Sequence, residues 1–470
     1  MGVDHMSGHV AVIGAGFAGL AAATGLAARG HAVTLFEAEE HAGGEARRVE
    51  AAGARIDVGP TVLTDLGPLD ALFDLAGTPE ALEIVRPDPG LLVTWPGGRR
   101  LTVAAAGPAL AARLAGLGPH AAADWSRFAA LGRSAERLAH HFYARGDVAS
   151  IRDLSRFLLG GGISARDLWV FTRRRSLARL LEAEIRAPEL RSLLGHFARF
   201  LGLDARTAPS VALVIPSLVL SSGISYVRGG LSALGDALLR LATKQGVVFA
   251  PRETVEGLET SGGRVRAVLT ATGGRVPVDA CVSCVDATLT ARWVAGVDLA
   301  RRLARLQPAL AARVAWWVAE GEPAIPVHHA LHFDVEPSGE PLYVATPTVS
   351  DPGLAPPGVT VLYALLHGPA GEPADDRFGA RVREAVVAAG AWPAGRVLAH
   401  GVAGGRASCY GYRIGPGLFA SFRPSQHVAR LANLILAGAS VFPGPGVTNV
   451  IRSGLRAVAL VDAALGGGRS

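Results

Sequence analysis

Apolar residues fall along this chain in two rhythms. Short β-branched runs bounded by glycine read as strands buried on both faces. Stretches with apolar residues at every third or fourth position read as helices packed on one side. His9 to Ile13 is a run of the first kind, after which Leu20, Ala23, Thr24 and Ala27 repeat at helical spacing until Gly30, and Ala32 to Phe36 resumes the strand pattern. The alternation returns further on. An amphipathic helix ending at Leu241 leads to a strand at Val247 to Phe249, and Val278 to Val285 alternates like a buried strand. Asn433 to Ala437 is a last strand. The helix that follows opens near Val447 and carries Val447, Val450, Ile451, Gly454, Leu455, Val458 and Val461 on one face. Strands alternating with helices predict an α/β fold.

The turn between the first strand and the first helix carries the chemistry. Gly14-Ala15-Gly16-Phe17-Ala18-Gly19 has the spacing G-x-G-x-x-G, and Glu37 closes the next strand 18 residues beyond Gly19. Gly14 allows a tight turn, Gly16 lets backbone approach a pyrophosphate, and Gly19 lets helix and strand pack closely. The helix N-terminus offers N–H donors to phosphate. Glu37, followed by Ala38, is placed to accept hydrogen bonds from a ribose diol, which favours an adenosine without a 2′-phosphate. A lone fingerprint is weak; with strand, helix and acid around it, a glycine-rich loop of some other α/β protein becomes the lesser reading. NAD and FAD share this fingerprint, and the next segment decides between them. Gly43-Gly44 adds a glycine pair with Arg47 and Arg48 in reach of phosphate, and Gly59-Pro60-Thr61 adds another glycine turn. A flavin needs such turns, because its ring system extends past the pyrophosphate and backbone must pass close to it. FAD is the expected cofactor.

Composition changes the picture less. With 470 residues, 50% hydrophobic and only 18% charged, the chain has the opposite balance to a disordered one and is long enough for two or three domains. Lys244 is the one lysine, so the net charge of +6 is carried almost wholly by arginine, a skew that reads as codon bias. The positive balance favours anionic partners, and an anionic membrane surface suits an apolar chain better than nucleic acid does. The apolar stretch from Val10 to Ala28 lacks a basic n-region and a cleavage site, Met6 breaks the myristoylation pattern, and Pro209, Pro216 and Ser221-Ser222-Gly223 interrupt the stretch from Ala208 to Ile224. The expectation is a cytoplasmic protein with no spanning helix, peripheral on the inner face of the cell membrane. Asp167 to Leu203, where Trp169, Phe171, Leu177, Leu180 and Leu181 alternate with Arg173, Arg174, Arg175 and Arg179, is the segment expected to touch that surface.

Taken together, these motifs resemble the FAD-dependent phytoene desaturases, bacterial carotenoid desaturases related to the amine oxidases. The residues that carry the resemblance are Asp57-Val58-Gly59-Pro60-Thr61-Val62-Leu63-Thr64, Arg228-Gly229-Gly230-Leu231, His328-His329 with Leu342-Tyr343-Val344, Asp351 to Gly358, Phe422-Arg423-Pro424, and the turn Gly438-Ala439-Ser440 with Pro443-Gly444-Pro445-Gly446. The resemblance implies a discontinuous, Rossmann-like FAD-binding domain over residues 8–75, 225–300 and 428–465. A mixed sheet-and-helix substrate domain would take 76–224 and 301–427. It implies a backbone contact to adenine at Val255. It also implies that Gly438, Ala439, Gly446, Val447, Thr448 and Asn449 face the flavin pyrimidine edge, where the partial positive charge of a helix N-terminus meets the negative charge of reduction. Three departures from the family pattern stand out: Glu45 in place of a basic residue, Phe442 in place of histidine, and Leu220 and Ser225 where relatives often have Glu and Trp.

The activity implied is desaturation of a C40 carotenoid, phytoene or a hydroxylated or methoxylated acyclic carotene. A hydride passes from an allylic carbon to the flavin, and electrons leave to oxygen or a quinone because no second dinucleotide fingerprint is present. Trp316 and Trp317 lean toward the hydroxyneurosporene branch. Asp57, Arg228 and His329 are the catalytic candidates, with Tyr226 and Tyr343 beside them; Asp57 reads more readily as fixing a turn or a flavin hydrogen bond. A carotene isomerase, an amine-oxidase-like flavoenzyme and a non-catalytic isoprenoid-binding protein remain the alternatives. No metal site is expected. Cys281 and Cys284 lie in a buried strand, and His140-His141 and His328-His329 are adjacent pairs that a strand would point to opposite faces, leaving one of each pair exposed.

Overall fold

The computed structural model describes residues 8–103, 108–145, 164, 171–172, 175–294, 298–405, 407, 409–415 and 423–466. One sheet has six strands in the order His427–Val428, Leu431–Leu436, Ala280–Ser283, His9–Ile13, Ala32–Phe36 and Val248–Ala250. All its neighbours pair in parallel except the two-residue edge at His427–Val428. Ala280–Ser283 is buried at every position where alternation was expected. Helices cover one face of the sheet; the antiparallel strands Val255–Ser261, Arg264–Thr270 and Arg275–Pro277 lie over the other, so neither face meets water.

The helix Phe17–Ala28 is likewise more deeply set than its periodicity predicts. Every residue from Phe17 to Leu26 is buried, because the sheet, the helix Leu231–Lys244 and the C-terminal helix Val447–Gly466 enclose it. Small residues make this possible. A Cβ at Gly454 would lie 2.2 Å from the carbonyl oxygen of Ala18, so the two helices touch backbone to backbone.

A second sheet runs Val397–Gly404, Ala311–Glu320, Val359–Gly368, Leu342–Ala345, His329–His332, Leu91–Thr94 and Arg100–Val103. The helix Asp376–Ala388 covers one face with Phe378, Val382 and Val386. The other face meets the helices Ala121–Arg145, Leu177–Glu184, Pro188–His196 and Val214–Ser222, and the hairpin Arg48–Ala51/Ala54–Asp57.

Several expectations change here. Trp316 packs against the hairpin, while Trp317, on the opposite face of its strand, meets Trp392 at 5.2 Å. His140 and His141 lie on a helix, and His328 and His329 are both buried, because this sheet is covered on both faces. The segment from Ala208 ends as the helix Val214–Ser222, and no helix among the described residues is long and apolar enough to cross a membrane. In the basic stretch, Asp167, Trp169, Arg173 and Arg174 lie outside the described residues, as does Phe422. Phe171, Leu177, Leu180 and Leu181 are spent on the helical core, and Arg175 and Arg179 are exposed.

Gly454→Val drives two methyl groups into the Ala18 backbone. The expected cost is about 3 kcal/mol or more, seen as a lower thermal midpoint and loss of bound cofactor, with Gly454→Ala intermediate.

Candidate active site

The first strand ends in a turn whose Gly14 N–H donates to the carbonyl of Phe36 at 2.8 Å. A Cβ at Gly19 would stand 1.8 Å from the Gly14 carbonyl oxygen, so only glycine lets the helix begin there. Gly16 caps the helix in extended conformation and no side chain caps it, which leaves the N–H groups near Phe17 and Ala18 for a phosphate. Gly43 N–H donates to the Ala15 carbonyl at 2.8 Å, and Gly44 packs on Gly16, closing the other wall. Glu37 turns its carboxylate into this loop: one oxygen accepts from Ala15 N–H at 2.7 Å, the other from Glu39 N–H at 3.0 Å. Ala38 is exposed just beyond it. Glu253 N–H donates to the Glu37 carbonyl at 2.8 Å, which brings the buried Val255 to the same edge. Of the two arginines, Arg48 pairs with Asp236 at 3.4 Å, whereas Arg47 is exposed with no partner among the described residues. Arg47 is therefore the one free to meet a phosphate. These donors and this acid fit the pyrophosphate and ribose of FAD.

A second cluster forms where the hairpin leads into Gly59-Pro60-Thr61. Tyr363 donates its hydroxyl to the Gly59 carbonyl at 3.0 Å. Thr61 Oγ1 and Tyr343 Oη are 3.0 Å apart, and Tyr343 Oη lies 2.6 Å from His329 Nδ1. The His328 ring sits 4.1 Å from His329 and 4.6 Å from Tyr226. Among the described residues neither ring nitrogen of His328 has a hydrogen-bond partner, nor has His329 Nε2. Burial pulls His328 down to about 4 and holds His329 well below the ordinary histidine range, so both are neutral. Burial likewise pushes the hydroxyls of Tyr343 and Tyr363 up.

The other two catalytic candidates are placed differently. Asp57 accepts from the N–H and the hydroxyl of Ser232, at 3.2 and 2.6 Å, and so caps the helix Leu231–Lys244. Burial raises its carboxyl from 3.8 to about 6, against the opposing pull of the Ser232 hydrogen bonds. Arg228 points to the surface, paired with Glu83 at 2.7 Å and Asp351 at 3.4 Å. Asp351, buried, also accepts from Gly229 N–H at 2.6 Å and from the Tyr226 hydroxyl at 3.3 Å. Ser225 bridges Leu63 through paired backbone hydrogen bonds, and Leu220 is buried in the helical core.

The C-terminal motif meets the fingerprint from the far side. Gly438 N–H donates to Ser453 Oγ at 3.1 Å, and a Cβ at Gly438 would stand 3.5 Å from the Cys284 carbonyl and 3.9 Å from Ala18. Ala439 follows on the same turn. Val447 and Thr448, buried, open the helix after Gly446, and Asn449 donates to the Pro445 carbonyl at 3.0 Å. Burial pushes the Cys281 thiol up to about 12 and raises Cys284 as well, which makes both poor nucleophiles and poor metal ligands. No metal-binding group of His, Cys, Asp or Glu occurs among the described residues.

Tyr363, Asp351 and the paired burial of His328 escaped the reading of the sequence. The only signal available was strand register: Tyr363 lies opposite Ala345, which in turn lies opposite His329.

Residues 17–462 match the profile of the flavin containing amine oxidoreductases. The chain is 31% identical to the hydroxyneurosporene desaturase of Rhodobacter capsulatus, over 95% of this chain and 96% of that protein. It is 28% identical to the ζ-carotene-forming phytoene desaturase of Myxococcus xanthus, over 94% and 92%. Among solved structures, cyclohexylamine oxidase from Brevibacterium oxydans shares the fold, with a TM-score of 0.65 at 16% identity, covering 98% of this chain and all of that one.

Because the fold holds a proton on Asp57 up to about pH 6 and the unfolded chain loses it near 3.8, stability attributable to this group falls as pH rises through that window. Asp57→Asn removes this dependence. Relative to wild type, the variant is expected to gain about 2 kcal/mol between roughly pH 4 and pH 7. A pH-independent difference in denaturation midpoints would show that Asp57 titrates as in the unfolded chain.

Proposed function

The chain belongs to the flavin-containing amine oxidoreductase family and is an FAD-dependent oxidoreductase, and from that premise we propose that it desaturates an acyclic carotenoid, phytoene or a hydroxylated or methoxylated carotene. The observation that carries this reading is the uncharged Thr61–Tyr343–His329 file. Its tyrosines spend their hydroxyls on Thr61 and on the Gly59 carbonyl. The nearest acids, Asp57 and Asp351, are committed to Ser232 and to Gly229. Such a surface suits a hydrocarbon and offers an ammonium substrate no free carboxylate. The full-length similarity to carotenoid desaturases supports the same substrate class.

When bound, FAD supplies the two-electron acceptor for a hydride leaving an allylic carbon. The proton lost from the neighbouring carbon goes to Nε2 of His329, the nitrogen without a partner. With Nδ1–H donating to Tyr343 Oη and the Tyr343 hydroxyl to Thr61 Oγ1, Nε2 is the ring nitrogen left to accept that proton. Glu37 would orient the ribose, while Arg47 and the helix N-terminus at Phe17 would hold the pyrophosphate, with oxygen or a quinone as the electron acceptor. Peripheral contact with the inner face of the cell membrane is electrostatic in this reading, through exposed arginines such as Arg175 and Arg179.

The purified protein is expected to show a flavin spectrum, and expression in hosts accumulating phytoene or hydroxylated neurosporene to shift the pigment to the red. Unchanged pigment in both hosts overturns the proposal, and altered cis–trans geometry without new double bonds identifies an isomerase instead. His329→Gln is expected to lower turnover about 100-fold while FAD is retained. On anionic liposomes the protein is expected to float at low salt and to be released as salt rises; failure to float at low salt removes the membrane contact.

A further inference from the structure

Arg423 is 7% exposed, yet it forms no ion pair with a carboxylate among the described residues. Its Nη1 donates to the carbonyls of Tyr410 and Ala439, each at 3.2 Å, and Nη2 has no hydrogen-bond partner among the described residues. The guanidinium lies against the turn that precedes the C-terminal helix: a Cβ at Gly444 would stand 2.5 Å from Nε. Burial lowers its pKa to about 10, with no neighbouring charge acting in the other direction, so it remains a cation at neutral pH. An isolated buried cation costs several kcal/mol unless an anion meets it.

Its position says which anion. Ala439 and Gly444 belong to the loop at the carboxyl end of the parallel strand Leu431–Leu436, beside the ends of Ala280–Ser283 and His9–Ile13. Ligands of open α/β sheets bind at that edge. The uncapped helix at Phe17 and Arg47 already serve the pyrophosphate, which leaves the C-terminal loop for the flavin ring. Two electrons and one proton added to that ring leave one net negative charge on its pyrimidine half.

We propose that Arg423 is a positioning residue for the flavin, holding the Gly438–Gly446 loop by its carbonyls and setting an uncompensated positive charge toward the pyrimidine edge so that reduced FAD binds more tightly than oxidised FAD. This rests on FAD binding alone and is independent of the carotenoid substrate.

Arg423→Gln and Arg423→Lys holoproteins test it by redox titration without substrate. In the glutamine variant, affinity for reduced FAD is expected to fall at least tenfold more than affinity for oxidised FAD, which lowers the midpoint potential by about 30 mV for a two-electron couple. The lysine variant keeps most of the wild-type potential. Equal weakening of both redox states, with the potential unchanged, means that Arg423 meets a phosphate or only braces the loop, and overturns the proposal. Should the glutamine variant not hold FAD, the wild-type spectrum decides: reduced FAD is expected to stay anionic into mildly acidic solution, and protonation near neutrality overturns the proposal.

Discussion

Everything at the carboxyl edge of the six-stranded sheet depends on how closely the helix Phe17–Ala28 is allowed to sit. On one side its start presses against the Gly14 carbonyl at Gly19; on the other, Gly454 brings the C-terminal helix onto the Ala18 carbonyl. The second contact joins residues more than four hundred positions apart, and neither leaves room for a side chain. Interiors pack at crystal-like density, so one methyl group there displaces backbone instead of filling a void. Both helices start at the same edge of the sheet, Phe17–Ala28 after the strand His9–Ile13 and Val447–Gly466 after Leu431–Leu436.

The second sheet is tied to this platform by buried acids. Asp57, at the end of the hairpin, caps the helix Leu231–Lys244, and Asp351 fastens Gly229 and Tyr226 from the opposite direction. Both have ordered backbone or hydroxyl donors that offset their desolvation. The Gly59–Thr61 turn is thereby held under the Tyr343, Tyr363 and His329 side chains, and burial leaves the histidines neutral, outweighing the pull of Asp351 on His328.

Charge in this protein is thus segregated. Arginines such as Arg275, Arg301 and Arg396 lie outside and pair on the surface, where each pair contributes little. The Thr61, Tyr343 and His329 side chains of the Gly59–Thr61 cluster are uncharged, whereas the Arg423 guanidinium is buried against the Gly438–Gly446 loop.

The dinucleotide half was largely legible in the sequence. Glycine spacing, β-branched strands and the acid at Glu37 are local signals, and the strands His9–Ile13 and Ala32–Phe36 stand where periodicity put them. The α/β class follows from the same alternation. What periodicity does not carry is how many faces of an element are covered. The Phe17–Ala28 helix and the Ala280–Ser283 strand are buried all round, and His328 and His329 are both inside, because neighbours from distant segments close the second face. Roles diverged for the same reason. Asp57, Arg228 and His329 were all candidates, with Asp57 reading more readily as fixing a turn, and only tertiary packing gave one a helix cap, one a surface ion pair and one a neutral, hydrogen-bonded ring. Spacing along the chain determined where backbone turns tightly around Gly14, Gly16 and Gly19; strand register and burial by distant segments, which spacing does not encode, decided which side chains gather at Gly59–Thr61 and in what protonation state.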